Sequence, residues 1–370
     1  MRPKRFAPQA PGAIPRGPSP RSGGILRPGI LMTGGIVVLA MFAFALVHLK
    51  TVAAHAPGFG GSPSPWFLYA ANGDLWETDG TTSLQLTHNG HLTQPALSAQ
   101  ALVYVEREKS YSDLWLTGAN QPARRLTHDA SPIIHHEHWA AEPVFTPGGH
   151  HLYLLSDHDK ATTGVGDLAV WEMDLLTRSF HQISHPPSYT GGDQDIAVDP
   201  LDNQMIIVTR YRYDPGGRLV EQLTALDLPR GRAVPLTNSR YRSRQAAFAP
   251  DGIHVAFVQT TGPSEDLYVG RFEQTQGKSQ LVNVHRVASG IIAQPVWSPS
   301  GAALAYLALV GEQFQLWSLP VQPRAKGSAA LSFGSPRQIT HGPSIDATAR
   351  PVWLTSTQAV AIRDWLKGGG

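Results

Sequence analysis

The segment Q-P-V-W-S-P-S-G, which begins at Gln294, decides the fold of this chain because five other segments repeat its pattern. Each copy opens with one polar residue, continues through a short apolar stretch that often holds an aromatic residue, and in most copies ends in a turn. The other copies are Q-P-A-L-S from Gln94, E-P-V-F-T-P-G-G from Glu142, D-I-A-V-D-P-L-D from Asp195, Q-A-A-F-A-P-D-G from Gln245 and R-P-V-W-L from Arg350. Successive copies begin 48, 53, 50, 49 and 56 residues apart. This period is too long for a helical pair and suits a four-stranded sheet, so it predicts a β-propeller.

The sequence between the copies predicts the other strands of each blade. Apolar alternating segments follow four of the copies, at residues 151–156, 205–209, 254–259 and 303–307, and predict second strands. A third strand is marked by Asp-Leu-aromatic, as at Asp113 and Asp266, and a fourth ends in Leu-Thr or Ile-Ser/Thr. The sequence therefore predicts an all-β domain of six four-stranded blades. The aromatic residues Trp297, Trp353, Phe145 and Phe248 occupy one position of the repeat and are expected to pack between blades.

The two ends of the repeat array predict one shared blade. Residues 75–87 supply outer strands with no first strand before them, whereas residues 350–363 supply inner strands with no outer ones after them. Joining them closes the ring and hides both free sheet edges. Residues 66–71 and 359–363 both fit the second strand of this blade, and the sequence leaves the choice open.

The repeat resembles that of the TolB-type six-bladed propellers. The segments Pro250-Asp251-Gly252 and Trp297-Ser298-Pro299 carry the closest match, and the resemblance extends from Trp66 to Trp365. It implies the fold but not a function, since propellers serve in binding, scaffolding and catalysis. We expect the chain to lack the α/β domain that precedes the propeller in TolB itself.

The segment before the repeats predicts a membrane anchor. Residues 28–49 contain no charged residue and, at about 1.5 Å per residue, are long enough to cross a bilayer core of about 30 Å. Residues 1–27 form a basic, Pro-rich tail, expected to be disordered, and their charge bias predicts that they stay in the cytoplasm. Residues 50–65 are then a linker, and residues 66–370 form the propeller outside the cell membrane. The alternative is a secreted protein cleaved near Ala56.

Composition excludes several classes of site and partner. The chain has no cysteine, which excludes disulfides, thiol nucleophiles, thiolate metal sites and a lipidated cysteine anchor. Residues 51–370 hold 23 bases against 28 acids, so the propeller is mildly acidic and we expect no nucleic-acid partner. The absence of G-x-S-x-G and of a phosphate-binding loop disfavours an esterase, a peptidase or a nucleotide hydrolase.

A ligand-binding site is expected where the loops that enter the first strands open beside the central channel. The candidate residues in these loops are His135, His136, Glu137, His138, Asp193, Asp195, Arg240, Arg242, Arg244, Asp346 and Arg350. The segment H-H-E-H has side chains that bind transition metals or shuttle protons, but a contiguous loop seldom supplies metal geometry alone. We expect a polar binding loop with no metal and no cofactor; a solvated loop is the other interpretation.

Three alternating arginines form the second part of the predicted site. On an extended segment, Arg240, Arg242 and Arg244 place three guanidinium groups on one side, where they can clamp a carboxylate, a phosphate or an acidic sugar. The alternative is that they pair with Asp193, Asp195 and Asp346 across the channel mouth.

These features favour a binding or scaffolding module over an enzyme. The expected protein is a monomeric propeller, held to the membrane by one helix, which engages a protein or a cell-envelope glycan through its entry loops. The alternative is a sugar-acid lyase or similar enzyme that uses His135, His136 or His138 with an arginine, as certain propellers of this repeat type do.

Overall fold

A computed structural model describes residues 66–119, 121–160, 167–187, 191–275, 278–323 and 330–367. The predicted tail, apolar span and linker, residues 1–65, lie outside the described residues. Within the described ranges, no helix has the length and apolar character needed to cross a membrane. These residues form six antiparallel sheets arranged as the blades of a propeller, with one helix near the carboxyl end, which confirms the predicted all-β fold.

The chain begins with the outer three strands of blade 1 and then completes blades 2 and 3. The strands are β1 (Trp66–Ala71), β2 (Asp74–Thr78), β3 (Ser83–Gln85), β4 (Leu92–Leu97), β5 (Ala101–Arg107), β6 (Ser112–Gly118), β7 (Gln121–Arg125), β8 (Ala140–Phe145), β9 (His151–Ser156), β10 (Ala169–Asp174) and β11 (Phe180–Gln182). In blades 2 and 3 the strands follow chain order from the axis outward.

Blades 4, 5 and 6 follow, and the chain then returns to blade 1. Their strands are β12 (Gly191–Val198), β13 (Met205–Tyr213), β14 (Leu219–Asp227), β15 (Arg232–Pro235), β16 (Ser243–Phe248), β17 (His254–Thr261), β18 (Ser264–Thr275), β19 (Lys278–Ala288), β20 (Ile292–Trp297), β21 (Ala303–Val310), β22 (Gln313–Pro323), β23 (Leu331–Phe333) and β24 (Arg337–Gln338). The last elements are β25 (Val352–Leu354) and the helix α1 (Ser356–Lys367).

Both ends of the propeller meet in blade 1. The strand β25 is the innermost of this blade and pairs antiparallel with β1, so that Trp66 faces Leu354 and Leu68 faces Val352. The second strand is therefore residues 66–71, and the ring is closed by pairing between the two chain ends.

The other candidate for that strand, residues 359–363, lies in α1. Thr355 and Gln358 form a capping box, in which the Gln358 N–H donates to Thr355 Oγ1 (3.1 Å) and the Thr355 N–H donates to Gln358 Oε1 (2.8 Å). Ala359 and Ile362 are buried three residues apart, a helical spacing, and pack with residues of blades 1 and 2. The strand interpretation of this segment was wrong because a short apolar run fits either element.

The repeated Asp-Leu-aromatic and Leu-Thr phrases meet between the third and fourth strands. Asp113 Oδ1 accepts hydrogen bonds from Thr127 Oγ1 and from the Asp129 N–H, both 2.9 Å, and Thr127 Oγ1 accepts one from the Leu114 N–H (3.0 Å). In blade 6 the same place is taken by Gln315, whose Oε1 accepts from Thr340 Oγ1 at 2.8 Å. The phrases thus fix where each outer strand ends.

The hydrophobic core lies between neighbouring blades. The aromatic residues of the repeated phrase pack across these gaps, as predicted. Trp297 Nε1 donates to the Ala247 carbonyl of blade 5 (3.1 Å), and Trp353 Nε1 donates to the Val296 carbonyl of blade 6 (3.2 Å). Each ring is therefore held at a fixed angle near the propeller axis.

Candidate functional site

Six residues surround the propeller axis in what we call the polar ring. They are the first residues of the repeated phrases: Gln94, Glu142, Asp195, Gln245, Gln294 and Arg350. The first five have φ angles between 47° and 57° and stand at a β-bulge, where the pairing of the innermost strand with its neighbour shifts. Such bulges re-aim side chains, which explains why one position is recurrently polar in otherwise apolar strands.

The polar ring is joined by hydrogen bonds from blade to blade. Gln94 Oε1 accepts from the Glu142 N–H (2.9 Å), Glu142 Oε2 from the Asp195 N–H (2.6 Å), and Gln245 Oε1 from the Gln294 N–H (3.0 Å). Each of these side chains satisfies a backbone donor that the bulge leaves unpaired. An acceptor side chain at this position is therefore a structural requirement of the repeat.

Arg350 departs from this rule and spans the axis. Its Nη1 donates to the Ile196 carbonyl (3.1 Å) and its Nη2 to the Ala246 carbonyl (2.8 Å). These carbonyls belong to blades 4 and 5, on the opposite side of the ring from the blade 1 segment that carries Arg350. The guanidinium therefore lies across the channel, and its buried Nε has no hydrogen-bond partner among the described residues.

Two acids of the polar ring, Glu142 and Asp195, interact electrostatically with Arg350. Burial raises the pKa of Glu142 to about 8, the Asp195 charge adds to the shift, and Arg350 opposes it. Burial also raises the pKa of Asp195, against hydrogen bonding from Thr209 and the charges of Arg350 and Arg244. Burial lowers the pKa of Arg350, and the charges of Asp195 and Glu142 oppose that shift, Asp195 more strongly than Glu142.

The predicted histidine loop is divided between solvent and a buried network. His135 and His136 are exposed in a short 3₁₀ turn, with their rings 4.4 Å apart, edge to face. Glu137 is buried. His138 Nδ1 lies 3.2 Å from the Asp157 carbonyl oxygen, and its ring stacks on His158 at 4.4 Å. No group of three or more potential metal ligands is present in the described part of the chain.

The three predicted arginines have different surroundings. Arg240 is exposed, with its guanidinium 6.0 Å from the centre of the Tyr241 ring. Arg242 Nε donates to Glu221 Oε2 at 2.6 Å. Arg244 forms an ion pair with Glu265 and lies 4.0 Å from Glu221. Two of the three guanidinium groups are thus paired with carboxylates of β14 and β18.

The predicted acids at the channel mouth are engaged elsewhere. Asp193 accepts two hydrogen bonds from Arg210, at 2.7 and 2.8 Å. Asp346 accepts from Thr93 Oγ1 (2.6 Å) and from the Thr348 N–H (2.9 Å). None of the hydrogen bonds and ion pairs between described residues joins residues 135–138 to the three arginines.

Of the predicted site residues, the structure places Asp195 and Arg350 near each other, with Glu142 beside them. It also places Arg242 and Arg244 on either side of Glu221. The roles of Glu142, Glu221 and Glu265 were not predicted from the sequence. A signal for each was present: Glu142 heads a repeated phrase, and the two others directly precede Gln222 and Asp266, which open the third-strand phrase.

Two hollows formed by described residues lie on the side opposite the predicted site. We call the side where the chain enters each innermost strand the entry face, and the side with the turns between first and second strands, such as residues 298–301, the turn face. A cavity of about 330 Å³, the axial cavity, opens at the axis on the turn face. A broader hollow of about 1030 Å³ adjoins it beside blades 2 and 3 and shares Leu97, Val144 and Phe145 with it.

The axial cavity has apolar walls and a polar floor. The walls include the prolines, valines and aromatic residues that follow the polar ring: Pro95, Pro143, Val144, Phe145, Val296, Trp297, Pro299, Pro351, Val352 and Trp353. The floor is formed by ring residues, among them Glu142, Gln294 and Arg350. Glu142 and Arg350 keep part of their surface accessible, whereas Gln294 is buried.

The fold is a six-bladed β-propeller, and solved structures similar to it include TolB-type propellers. The chain is similar to TolB from Acinetobacter baumannii, with a TM-score of 0.56 and 16% identity over 79% of this chain and 67% of that one. A TolB candidate from Agrobacterium tumefaciens gives a TM-score of 0.54 and 11% identity over 80% of this chain and 100% of that one.

Hydrazine synthase from Kuenenia stuttgartiensis is also similar, with a TM-score of 0.52 and 10% identity over 80% of this chain and 48% of that one. No protein-family model and no curated protein sequence matches the chain. At these identities the similarity shows the fold alone, since proteins with different functions share this fold.

Proposed function

We propose that this chain is a membrane-tethered propeller outside the cytoplasm that binds a protein through its entry face. One observation carries the proposal: the loops of this face combine exposed isoleucines and tyrosines with an exposed arginine, whereas the opposite face exposes single leucines in separate turns. Ile133 and Ile134 are 46% and 65% exposed in the histidine loop, and Tyr213 and Tyr241 are 47% and 41% exposed on blade 4 and the loop after it. Exposed apolar residues beside an unburied arginine, here Arg240, are typical of protein recognition surfaces.

The scaffold under these loops suits recognition. Blade 1 is closed by the pairing of β25 with β1, and the polar ring ties successive blades together. Loops on such a framework keep their positions when a partner binds, so less conformational entropy is lost on association. The TolB-type fold is compatible with this role but does not identify the partner.

The capture experiment compares the two faces. Immobilised residues 57–370 are exposed to an extract of cell-envelope proteins. The double variant Ile133→Ser, Ile134→Ser should lose the captured partner, whereas the matched variant Leu176→Ser, Leu201→Ser should keep it, because those leucines are 92% and 73% exposed in turns of the opposite face. Equal capture by both variants would show that the entry face is not the binding surface.

A cell-envelope glycan is the other possible ligand of this face, and the same experiment separates the two. Protease treatment of the extract should abolish capture of a protein partner. Capture that survives protease but not glycosidase treatment would assign the face to a glycan instead.

The tether is a separate part of the proposal and rests on residues 28–49. Protease added to intact cells or spheroplasts should digest the propeller and spare residues 1–27. A mature protein that begins near Ala56 would replace the tether with secretion, and a propeller protected until lysis would contradict an outside location.

A sugar-acid lyase remains the weaker candidate. It would require His135, His136 or His138 to converge with an arginine on one substrate. His138 instead contacts Asp157 and His158, while Arg242 and Arg244 contact Glu221 and Glu265. The contacts of His138, Arg242 and Arg244 therefore give the lyase no support, and only the exposed His135, His136 and Arg240 remain for it.

A further inference from the structure

We propose that the axial cavity is a second binding site, on the face opposite the protein-binding loops, for a flat, uncharged, aromatic carboxamide. The site is independent of the proposed protein partner, because it is reached from the turn face and Arg350 crosses the channel between the two mouths.

The walls select a flat apolar body. Phe145, Trp297 and Trp353 provide three aromatic rings, and prolines and valines fill most of the remaining wall. The indole N–H groups of both tryptophans are already bonded to backbone carbonyls, so their polar atoms are satisfied. A volume of about 330 Å³ lies within the size range of small-molecule sites.

The floor selects a group that both donates and accepts hydrogen bonds. Arg350 supplies only donors, and the carboxyl group of Glu142 has a second oxygen beside the one that binds the Asp195 N–H. A carboxamide presents a carbonyl oxygen and an N–H group side by side, which complements this pair. The protonated state favoured for Glu142 lets its carboxyl group act in either role.

Charge balance disfavours an ionised ligand. The only charged residues that line the axial cavity within the described ranges are Glu142 and Arg350. The charges of Arg350 and Asp195 already act on each other, so a carboxylate or an ammonium ion would enter a desolvated space without a counter-charge of its own. A neutral amide avoids that penalty.

The test uses the purified full chain and three probes of similar shape: benzamide, toluene and benzoate. Benzamide should bind about tenfold more tightly than toluene, since one net hydrogen bond corresponds to roughly that factor, and benzoate should bind more weakly than benzamide. Titration calorimetry or ligand-observed NMR measures the three affinities. If toluene bound with the same affinity as benzamide, the polar floor would play no part in binding. If benzoate bound with the same affinity as benzamide, the preference for a neutral ligand would be refuted.

Two matched variants locate the binding. Ala96 lines the axial cavity, and valine occupies its repeat position in Val144, Val296 and Val352, so Ala96→Ile should fit the strand and fill the space. Ala99→Ile places the same side chain on an exposed turn residue three positions away. Benzamide affinity should fall at least about tenfold in Ala96→Ile and stay unchanged in Ala99→Ile; equal affinities in both would overturn the proposal.

A structural measurement covers the case in which Ala96→Ile folds poorly. Crystals of the unaltered protein soaked with benzamide should show the ring between Trp297 and Trp353 with the amide toward Arg350. An empty axial cavity at saturating benzamide, or benzamide bound only elsewhere, would overturn the assignment.

Discussion

The entry face and the turn face use their residues in opposite ways. The entry face carries most of the charged side chains that stand out in the sequence, yet many of them bind one another: Asp193 binds Arg210, and Arg244 binds Glu265. The turn face has few charged residues near the axis and holds both hollows. A cluster of charges in a sequence therefore indicates internal pairing as readily as a ligand site.

The difference follows from the polar ring. On the amino-terminal side of the ring residues, the innermost strands carry polar residues such as Thr93 and Asp193. Their side chains form hydrogen bonds with neighbouring strands and loops. On the carboxyl-terminal side of the ring residues, the same strands carry Pro, Val and Trp. Apart from the two indole N–H groups, which are bonded to backbone carbonyls, these side chains are apolar and leave an apolar recess. Arg350 separates the two regions, so changes to it should have the largest effect on the comparison.

Arg350→Ala is expected to lower the free energy of unfolding by about 3–5 kcal/mol, because it leaves Asp195 buried without its cation. Urea unfolding measures the loss. Arg350→Gln, which restores the residue type of three other ring positions, should recover part of it. A loss below about 1 kcal/mol in Arg350→Ala would mean that the guanidinium does not hold the axis together.

Arg244→Ser and Arg240→Ser compare a paired arginine with an exposed arginine on the entry face. Arg244 is only 12% exposed and paired, so its loss should lower stability by about 1.5–3 kcal/mol. Arg240 is exposed, so its loss should change stability by less than about 0.5 kcal/mol while weakening capture of the partner. Thermal unfolding and the capture experiment are run on both. Unchanged capture by Arg240→Ser would remove Arg240 from the binding surface.

The smallest expected effect is a change in the pH dependence of stability. The pKa of Glu142 is raised to about 8 in the folded state, above its ordinary value of 4.5, so the folded protein holds a proton that the unfolded chain has lost. Its contribution therefore destabilises the protein as pH rises through the interval from about 5 to 8.

Glu142→Gln should flatten this decline, measured as unfolding free energy between pH 6.5 and 8.5. Asp129, whose pKa burial raises to about 7, acts in the same direction, so Asp129→Asn provides a comparison from the histidine-loop side. The lower limit avoids His158, whose pKa burial lowers to about 4 and whose effect on stability has the opposite sign below pH 6.5. An unchanged slope in Glu142→Gln would show that its carboxyl group is ionised at neutral pH.

The blade count, the order of strands and the closure by both chain ends can be predicted from the amino-acid sequence alone. These features repeat with a period of about fifty residues, and a one-dimensional pattern such as the phrase at Gln294 reports them directly. It also predicted the packing of Trp297 and Trp353 between blades, because the same position is apolar or aromatic in most of the other copies.

The chemistry near the axis depends on contacts that form only in the folded molecule. Arg350 donates hydrogen bonds to carbonyls that are 104 and 154 residues away in the sequence. Arg244 of β16 forms an ion pair with Glu265 of β18. The repeat period does not encode these contacts. The same holds for residues 359–363, which a strand or a helix fits equally well until the cap at Thr355 and the packing against blades 1 and 2 select α1. Periodicity specifies which residues share a position within a blade, whereas the partners of a side chain depend on distances across the ring, which are set only when it closes.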